Sequence, residues 1–354
     1  MHALRPSLRL GSLPLVATLL LGACSSPGGS PDEIERDPEQ LLEIYRETAY
    51  GHWENDDPSR AAAQALKALE IDPEDRSMRL ILGWGLLRLG DRDSLIRAQG
   101  VFESLGDYED YRARLGLAIV DERLGVLWEE AAVAFTAGTR TPPAGQDADS
   151  ASAQARELWT TAVGLYEGVL LEQPEERKAI NGLQRVHGHL GQYERSLAYT
   201  EELLLRTNDE IGFFEQQILR PELTAVEEDR YRENLRILEE SKVKSHLYAS
   251  EVLRQLERLE EAIEHLDSVL AVNPDHRGAY SLRAQHAASL LRWDEAIHDI
   301  DRFLALAVDL PFEHPQVREA WRLRSEYETE LLRVMSEAGV ETAGTDTAAS
   351  QGGG

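Results

Sequence analysis

The only sulfur nucleophile in the chain is Cys24. With a single cysteine, neither an intramolecular disulfide nor a thiolate-rich metal site can form, so any chemistry of this thiol is its own. His187 and His189 offer imidazoles, but two positions apart on a predicted helix they face different ways and read as structural or surface groups. Glu129-Glu130, Glu201-Glu202 and Glu260-Glu261 could do acid–base work, yet each pair falls on a predicted helix in a chain that is 29% charged and reads as a solvated face. No glycine-rich phosphate loop, nucleophile elbow or zinc-binding His-Glu-x-x-His helix occurs. These residues point to a protein without catalytic groups, metal or cofactor.

The setting of Cys24 gives it a role. Arg5 and Arg9 precede an apolar run from Leu10 to Ala23, 14 residues long. A bilayer span needs roughly 20, so the run has the layout of a secretory signal over residues 1–23. Its end, Leu21-Gly22-Ala23-Cys24, resembles the lipobox of bacterial lipoproteins. That resemblance implies that the Cys24 sulfur takes a diacylglyceryl group and that Cys24 becomes the acylated mature terminus. Two or three acyl chains, each buried methylene contributing about 0.8 kcal/mol, make such an anchor practically permanent. Residues 24–38, with Pro, Gly and Ser followed by a mainly acidic stretch, hold too little apolar surface to fold and read as a flexible linker. In lipoproteins of two-membrane bacteria an aspartate after the cysteine favours the inner membrane. Ser25 lacks that mark, which places the chain at the periplasmic face of the outer membrane if the cell has two.

The remainder is organised by a period near 34 residues. The clearest unit, Val243 to His276, carries Ala262, Leu266 and Pro274; Arg277 to Leu310 follows with Tyr280, Ala284, Trp293, Ala296 and Phe303, and Arg177 to Glu210 with Ile180, Leu183, Leu190-Gly191 and Tyr193. Upstream, Leu42 to Asp75 fits with Tyr45, Ala49, Ala61, Ala65 and Pro73, and Arg76 opens a unit with Leu82-Gly83 and Leu89-Gly90, whose second helix holds Ala98 and Phe102. Leu115-Gly116, Leu124-Gly125, Ala131 and Phe135 mark a further degenerate unit, with Trp128, like Tyr193 and Trp293, at the turn before a second helix. A small residue lets two helices approach, a large one fills the gap and proline ends the pair.

This spacing resembles the tetratricopeptide repeat. The resemblance implies an all-α, right-handed α-solenoid of helix-turn-helix units, some degenerate. Units are expected over 39–138 and 154–310, separated by a disordered insert at 139–153 that is rich in turn formers. Residues 211–242 match the repeat poorly. A capping helix over 311–337 carries the stripe Ala320, Leu323, Tyr327, Leu331 and Val334, and 338–354 reads as a disordered tail.

The same resemblance implies a concave groove lined by the first helix of each unit. Tyr50 and Trp53, then Leu80, Trp84, Leu87 and Arg88, fall at groove positions, as do Lys178, Asn181, Arg185 and His189. The last four resemble loosely a carboxylate clamp, but the matching residues of the next unit are degenerate. With 64 acidic against 37 basic residues and a formal charge of −27, the chain repels nucleic acid. The reading is a membrane-anchored scaffold or assembly factor of the cell envelope with protein or peptide partners, similar in layout to repeat lipoproteins of outer-membrane protein insertion or pilus biogenesis. The alternative is an envelope enzyme, or a cell-wall-glycan binder, using groove carboxylates.

Overall fold

A computed structural model describes residues 37–105 and 110–337. Cys24, the signal, most of the linker and the tail after Glu337 lie outside the described residues. Within them the chain is all-α, in thirteen helices.

The first six helices share one starting device. Asp37, Asp57, Asp75, Asp91, Asp110 and Asp147 each accept a backbone N–H from the first turn of α1 (Pro38–Glu54), α2 (Pro58–Ile71), α3 (Arg76–Leu89), α4 (Arg92–Glu103), α5 (Tyr111–Thr136) and α6 (Ala148–Glu172). An aspartate there satisfies an orphan donor and meets the positive end of the helix dipole. Part of the acidic excess is therefore helix punctuation. The array continues as α7 (Arg177–His189), α8 (Tyr193–Ile218), α9 (Ala225–Gln255), α10 (Leu259–Val272), α11 (Arg277–Ser289), α12 (Trp293–Leu306) and α13 (Pro315–Glu337).

The turn inside five hairpins sits at one register. Asp56, Gly90, Gly191, Glu257 and Leu291 have φ between 57° and 75°, and each is fifteenth from the start of its sequence unit at Leu42, Arg76, Arg177, Val243 or Arg277. A left-handed residue at that point reverses the chain between paired helices. Each helix packs on its chain neighbours, and α1, α3, α5 and α7 also touch in succession. The result is an α-solenoid whose first helices form a continuous wall in its N-terminal half.

The remaining hairpin, third in chain order, differs from the expectation. Residues 111–136 form one unbroken helix, so Leu124-Gly125 makes no turn and Trp128 lies in mid-helix rather than before a second one. Gly125 serves instead as a close approach: a Cβ there would stand 2.4 Å from Nε1 of Trp159. Arg114 near the start of α5 donates to the Gly168 carbonyl near the end of α6 at 3.0 Å, so the two helices are antiparallel partners. Residues 139–153 thus hold the loop expected between helices, here joining the two helices of one hairpin. The loop is also shorter than expected, because Asp147 and Ser150 cap α6 reciprocally and Ala151 is buried. Residues 211–242 form no separate unit either. They lengthen α8 and open α9, which meet again through Phe214 and Tyr231, ring centres 5.7 Å apart. At the C-terminus α13 covers α12 with Val317, Ala320 and Tyr327 buried, whereas Val334 stands 41% exposed beyond the contact.

One buried acid gives the α4–α5 contact a pH dependence. Asp121 is 3% exposed and accepts from Nε2 of Gln99 at 2.7 Å. Burial pushes its carboxyl up to about 7, helped by Glu103 and only partly offset by the Gln99 bond. Between the unfolded value, 3.8, and about 7 the folded state holds a proton that the unfolded state has lost. The contribution is therefore fully present below that window, falls as pH rises through it and is flat above. Asp121→Asn keeps the oxygen that Gln99 needs and removes the ionisation. The variant should be stabilised relative to the parent in urea melts at about pH 8 and much less at about pH 5; a difference independent of pH would show that Asp121 is ionised in the fold.

Candidate functional site

The wall of first helices encloses a cavity of about 630 Å³ lined by Trp53 from α1, Trp84, Leu87 and Arg88 from α3, Ile119, Glu122 and Arg123 from α5, and Lys178, Asn181 and Arg185 from α7. A second cavity of about 330 Å³ adjoins it and shares Trp53, Trp84 and Lys178, adding Tyr50, Leu80, Tyr111, Arg112 and Glu176 among others. Nine of the ten groove positions taken from the sequence therefore lie on one continuous surface. The apolar strip of α1 and α3 and the polar set of α7, separate in the sequence reading, face each other across α5. Nζ of Lys178 stands over the Trp84 ring at 5.4 Å, and the Arg88 guanidinium over Trp53 at 5.7 Å.

His189 lies elsewhere. Its ring stacks on Trp159 of α6, centroids 4.7 Å apart and planes within 9°, which places it in the α6–α7 seam. The cause is the small residue at Gly125, which admits Trp159 to the α5 backbone, where its Nε1 donates to the Glu122 carbonyl at 3.2 Å. His187 is buried, with Nδ1 at 2.7 Å from Gln192 Oε1, so the two imidazoles share no site.

The floor of the larger cavity is a charge network. Glu122, 6% exposed, accepts Nε and Nη2 of Arg185 at 2.5 and 2.9 Å and the Tyr166 hydroxyl at 2.6 Å. Burial, reinforced by the Glu122 charge, pushes the Tyr166 hydroxyl far above its usual value, so it is a donor. Burial works against the Arg185 charge, but the Glu122 bonds outweigh it and the guanidinium is held more firmly protonated. Tyr166 reaches Glu122 because residue 182 is glycine: a Cβ there would stand 2.2 Å from the ring. With its oxygens committed in this way, Glu122 is a holder of Arg185 rather than an acid or base facing the cavity.

The other cations differ in their partners. Arg88 pairs with Asp56 at 2.5 Å and Arg112 with Asp110 at 2.8 Å. Arg123 donates to the Leu87 carbonyl at 2.9 Å, and Lys178 rests on Trp84. Both are exposed, and neither has a carboxylate partner among the described residues. Sequence reading did not find Ile119, Glu122 and Arg123. Their signal is the charged triplet Asp121-Glu122-Arg123 inside the otherwise apolar stretch Leu115 to Leu127, with Ile119 and Glu122 a turn or less apart. Among the described residues no group of three or more metal-ligating side chains is assembled.

No protein-family model and no curated protein matches the chain. Among solved structures it is similar to YrrB, described as a TPR protein with an unusual peptide-binding site, at 17% identity and TM-score 0.45 over 74% of this chain and all of that one. It is also similar to a tetratricopeptide repeat protein from Parabacteroides merdae, at 15% identity and TM-score 0.36 over 81% and 99% of the two chains. A third is pilF of Pseudomonas aeruginosa, at 13% identity and TM-score 0.31 over 85% and 95%.

Proposed function

We propose that the protein is a scaffold that holds a segment of another protein in this groove, tethered to an envelope membrane through Cys24. One observation carries the reading: in a chain of net charge −27, the lining of one cavity gathers Arg88, Arg123, Lys178 and Arg185 around two tryptophans. Such a surface fits a segment that seats an apolar side chain between Trp53 and Trp84 and sets acidic groups against the cations. The acidic exterior steers such a segment away from the rest of the molecule. Glu122 is bound to Arg185 and Tyr166, which disfavours the alternative of an enzyme or glycan binder working through groove carboxylates.

Lys178→Glu with Arg123→Glu reverses two exposed cations without touching the core. Capture from a displayed peptide library should select apolar residues flanked by Asp and Glu for the parent protein, weaken as salt rises, and be lost in the double variant. Arg97→Glu, on α4 away from both cavities, serves as the matched control. Equal capture by the groove and control variants would sink the groove reading.

Among the described residues no helix is long and apolar enough to cross a membrane, and the anchor in this reading is the lipid on Cys24. Cys24→Ser should leave an uncleaved precursor that takes up no labelled palmitate. Normal processing and lipid labelling of that variant would remove the anchor from the proposal.

A further inference from the structure

The two cavities of the groove lie end to end along the first helices. The smaller takes Ser77 and Leu80 from α3, Tyr111 and Leu115 from α5, and Glu176 from the start of α7. The larger takes Leu87 and Arg88, Glu122 and Arg123, and Arg185, about two turns further along the same three helices. Leu80 to Leu87 and Leu115 to Glu122 are both steps of seven residues, about 10.5 Å along a helix axis. Trp84, midway on α3, lines both cavities. We infer that the segment held here is an α-helix lying along the first helices, with apolar residues at i and i+7 in the two cavities and acidic residues beside the second. The inference rests on the groove reading above and adds to it the form of the partner.

The pitch of the groove selects a helix. Seven residues make almost two full turns, so side chains at i and i+7 of a helix point the same way about 10.5 Å apart. An extended chain returns a side chain to one face only at even steps, about 6.7 Å for two residues and 13 Å for four. The separation of the cavities falls between these, so an extended segment fills one cavity and misses the other. A helix fills both from one stripe, as in helix-in-groove recognition. The match has a cause: the wall is made of helices running in one direction, and its hollows repeat at their pitch.

Charge distinguishes the two ends. Arg88, Arg123, Lys178 and Arg185 line the larger cavity against one carboxylate, Glu122, whereas the smaller has Arg112 and Lys178 against Glu176, with the rings of Tyr50 and Tyr111. Arg88 stands on the α3 wall and Lys178 and Arg185 on the α7 wall. On a docked helix, i+6 and i+8 project about 100° to either side of i+7, one towards each wall. Acids at those two positions meet cations on both sides. Arg123 bonds a backbone carbonyl and Lys178 rests on Trp84, so an incoming carboxylate displaces no carboxylate from either.

The test titrates the full chain with a fluorescein-labelled synthetic peptide of about twenty residues, carrying Leu at i and i+7, Glu at i+6 and i+8, and Ala, Ser and Gln elsewhere. A staple between i+5 and i+9, on the face away from both anchors, should tighten binding by about ten-fold by removing the cost of ordering the helix. Proline at i+5 removes no contact but breaks the helix between the anchors, and should weaken binding by about ten-fold or more. Tyr50→Ala should weaken the parent peptide and leave unchanged a peptide whose i anchor is Ala, whereas Lys178→Glu with Arg123→Glu should weaken both. A proline peptide that binds as tightly as the parent peptide would overturn the helix and leave an extended segment in the groove. Self-association of the peptide-free chain that the charge-reversal pair abolishes and the peptide does not would put a second copy there and likewise overturn it. If none of the peptides binds, and the displayed library yields no capture either, the groove reading falls and the helix with it.

Discussion

Phe102→Ala should lower the stability of the N-terminal hairpins by about 3–5 kcal/mol, the cost of truncating a large buried aromatic where the surroundings cannot collapse. Phe102 is 0% exposed. Its ring fills a notch between two helix backbones, for a Cβ on Gly83 or Gly116 would stand 2.7 or 2.4 Å from it. The edge of Trp84 meets it at 5.9 Å. Three helices, α3, α4 and α5, thus converge on one ring, and none can close the space without leaving its other neighbours. Solenoid stability is close to a sum of nearest-neighbour terms, so the loss should stay local. In a urea titration followed by tryptophan fluorescence, an early N-terminal transition should separate from that of the C-terminal cluster around Ile300, Phe303 and Tyr327. One transition at the parental midpoint would deny Phe102 this role. Because Trp84 rests on the ring, Phe102→Ala should also weaken the groove.

The sequence showed the hairpins where turn chemistry and helix spacing coincide. Positions such as Leu190-Gly191 and Leu89-Gly90 announce a left-handed residue, and the same place in other units is then found even when Asp56, Glu257 or Leu291 occupies it. The reading failed where glycine has a second use. At Gly125 it serves close packing against Trp159, and taking it for a turn cut α5 in two. That error hid the partnership of α5 with α6. It also hid the site. Lys178 can meet Trp84 only if a single long helix lies between their units, and the spacing of residues 84 and 178 says nothing of that. The individual groove residues were legible because their repeat register fixes their face; their convergence depends on α5 packing between α3 and α7. His189 shows the limit of register, since Trp159, from the irregular hairpin, draws it into a seam.

The charge pattern has the same two scales. Much of the acid caps helices or pairs with arginine at helical spacing, as Glu240 does with Arg236 and Glu326 with Arg322, and such exposed pairs contribute little individually. Glu122 is different, because it lies under the groove and its partners come from α6 and α7. Folding and binding therefore share one carboxylate.

Glu122→Ala should cost about 3 kcal/mol of stability and abolish groove binding together. Removing one member of a buried charge network leaves the others uncompensated, typically at about 3–5 kcal/mol. Here the two orphans differ. The Arg185 side chain is 43% exposed and can turn to water, which sets the loss at the low end of that range. Tyr166 is 0% exposed and cannot, so its hydroxyl keeps the full penalty of an unmade bond. Adding Tyr166→Phe to Glu122→Ala removes that orphan and should recover part of the stability, a non-additivity that a double-mutant cycle reads directly. It should not recover binding, because Arg185 remains without its holder. The decisive comparison is urea midpoint against peptide capture for Glu122→Ala, Tyr166→Phe and the pair. Strict additivity of stability would mean that the Tyr166 hydroxyl finds another partner. Restored capture in the pair would mean that the groove needs a sound fold and not an Arg185 fixed in place.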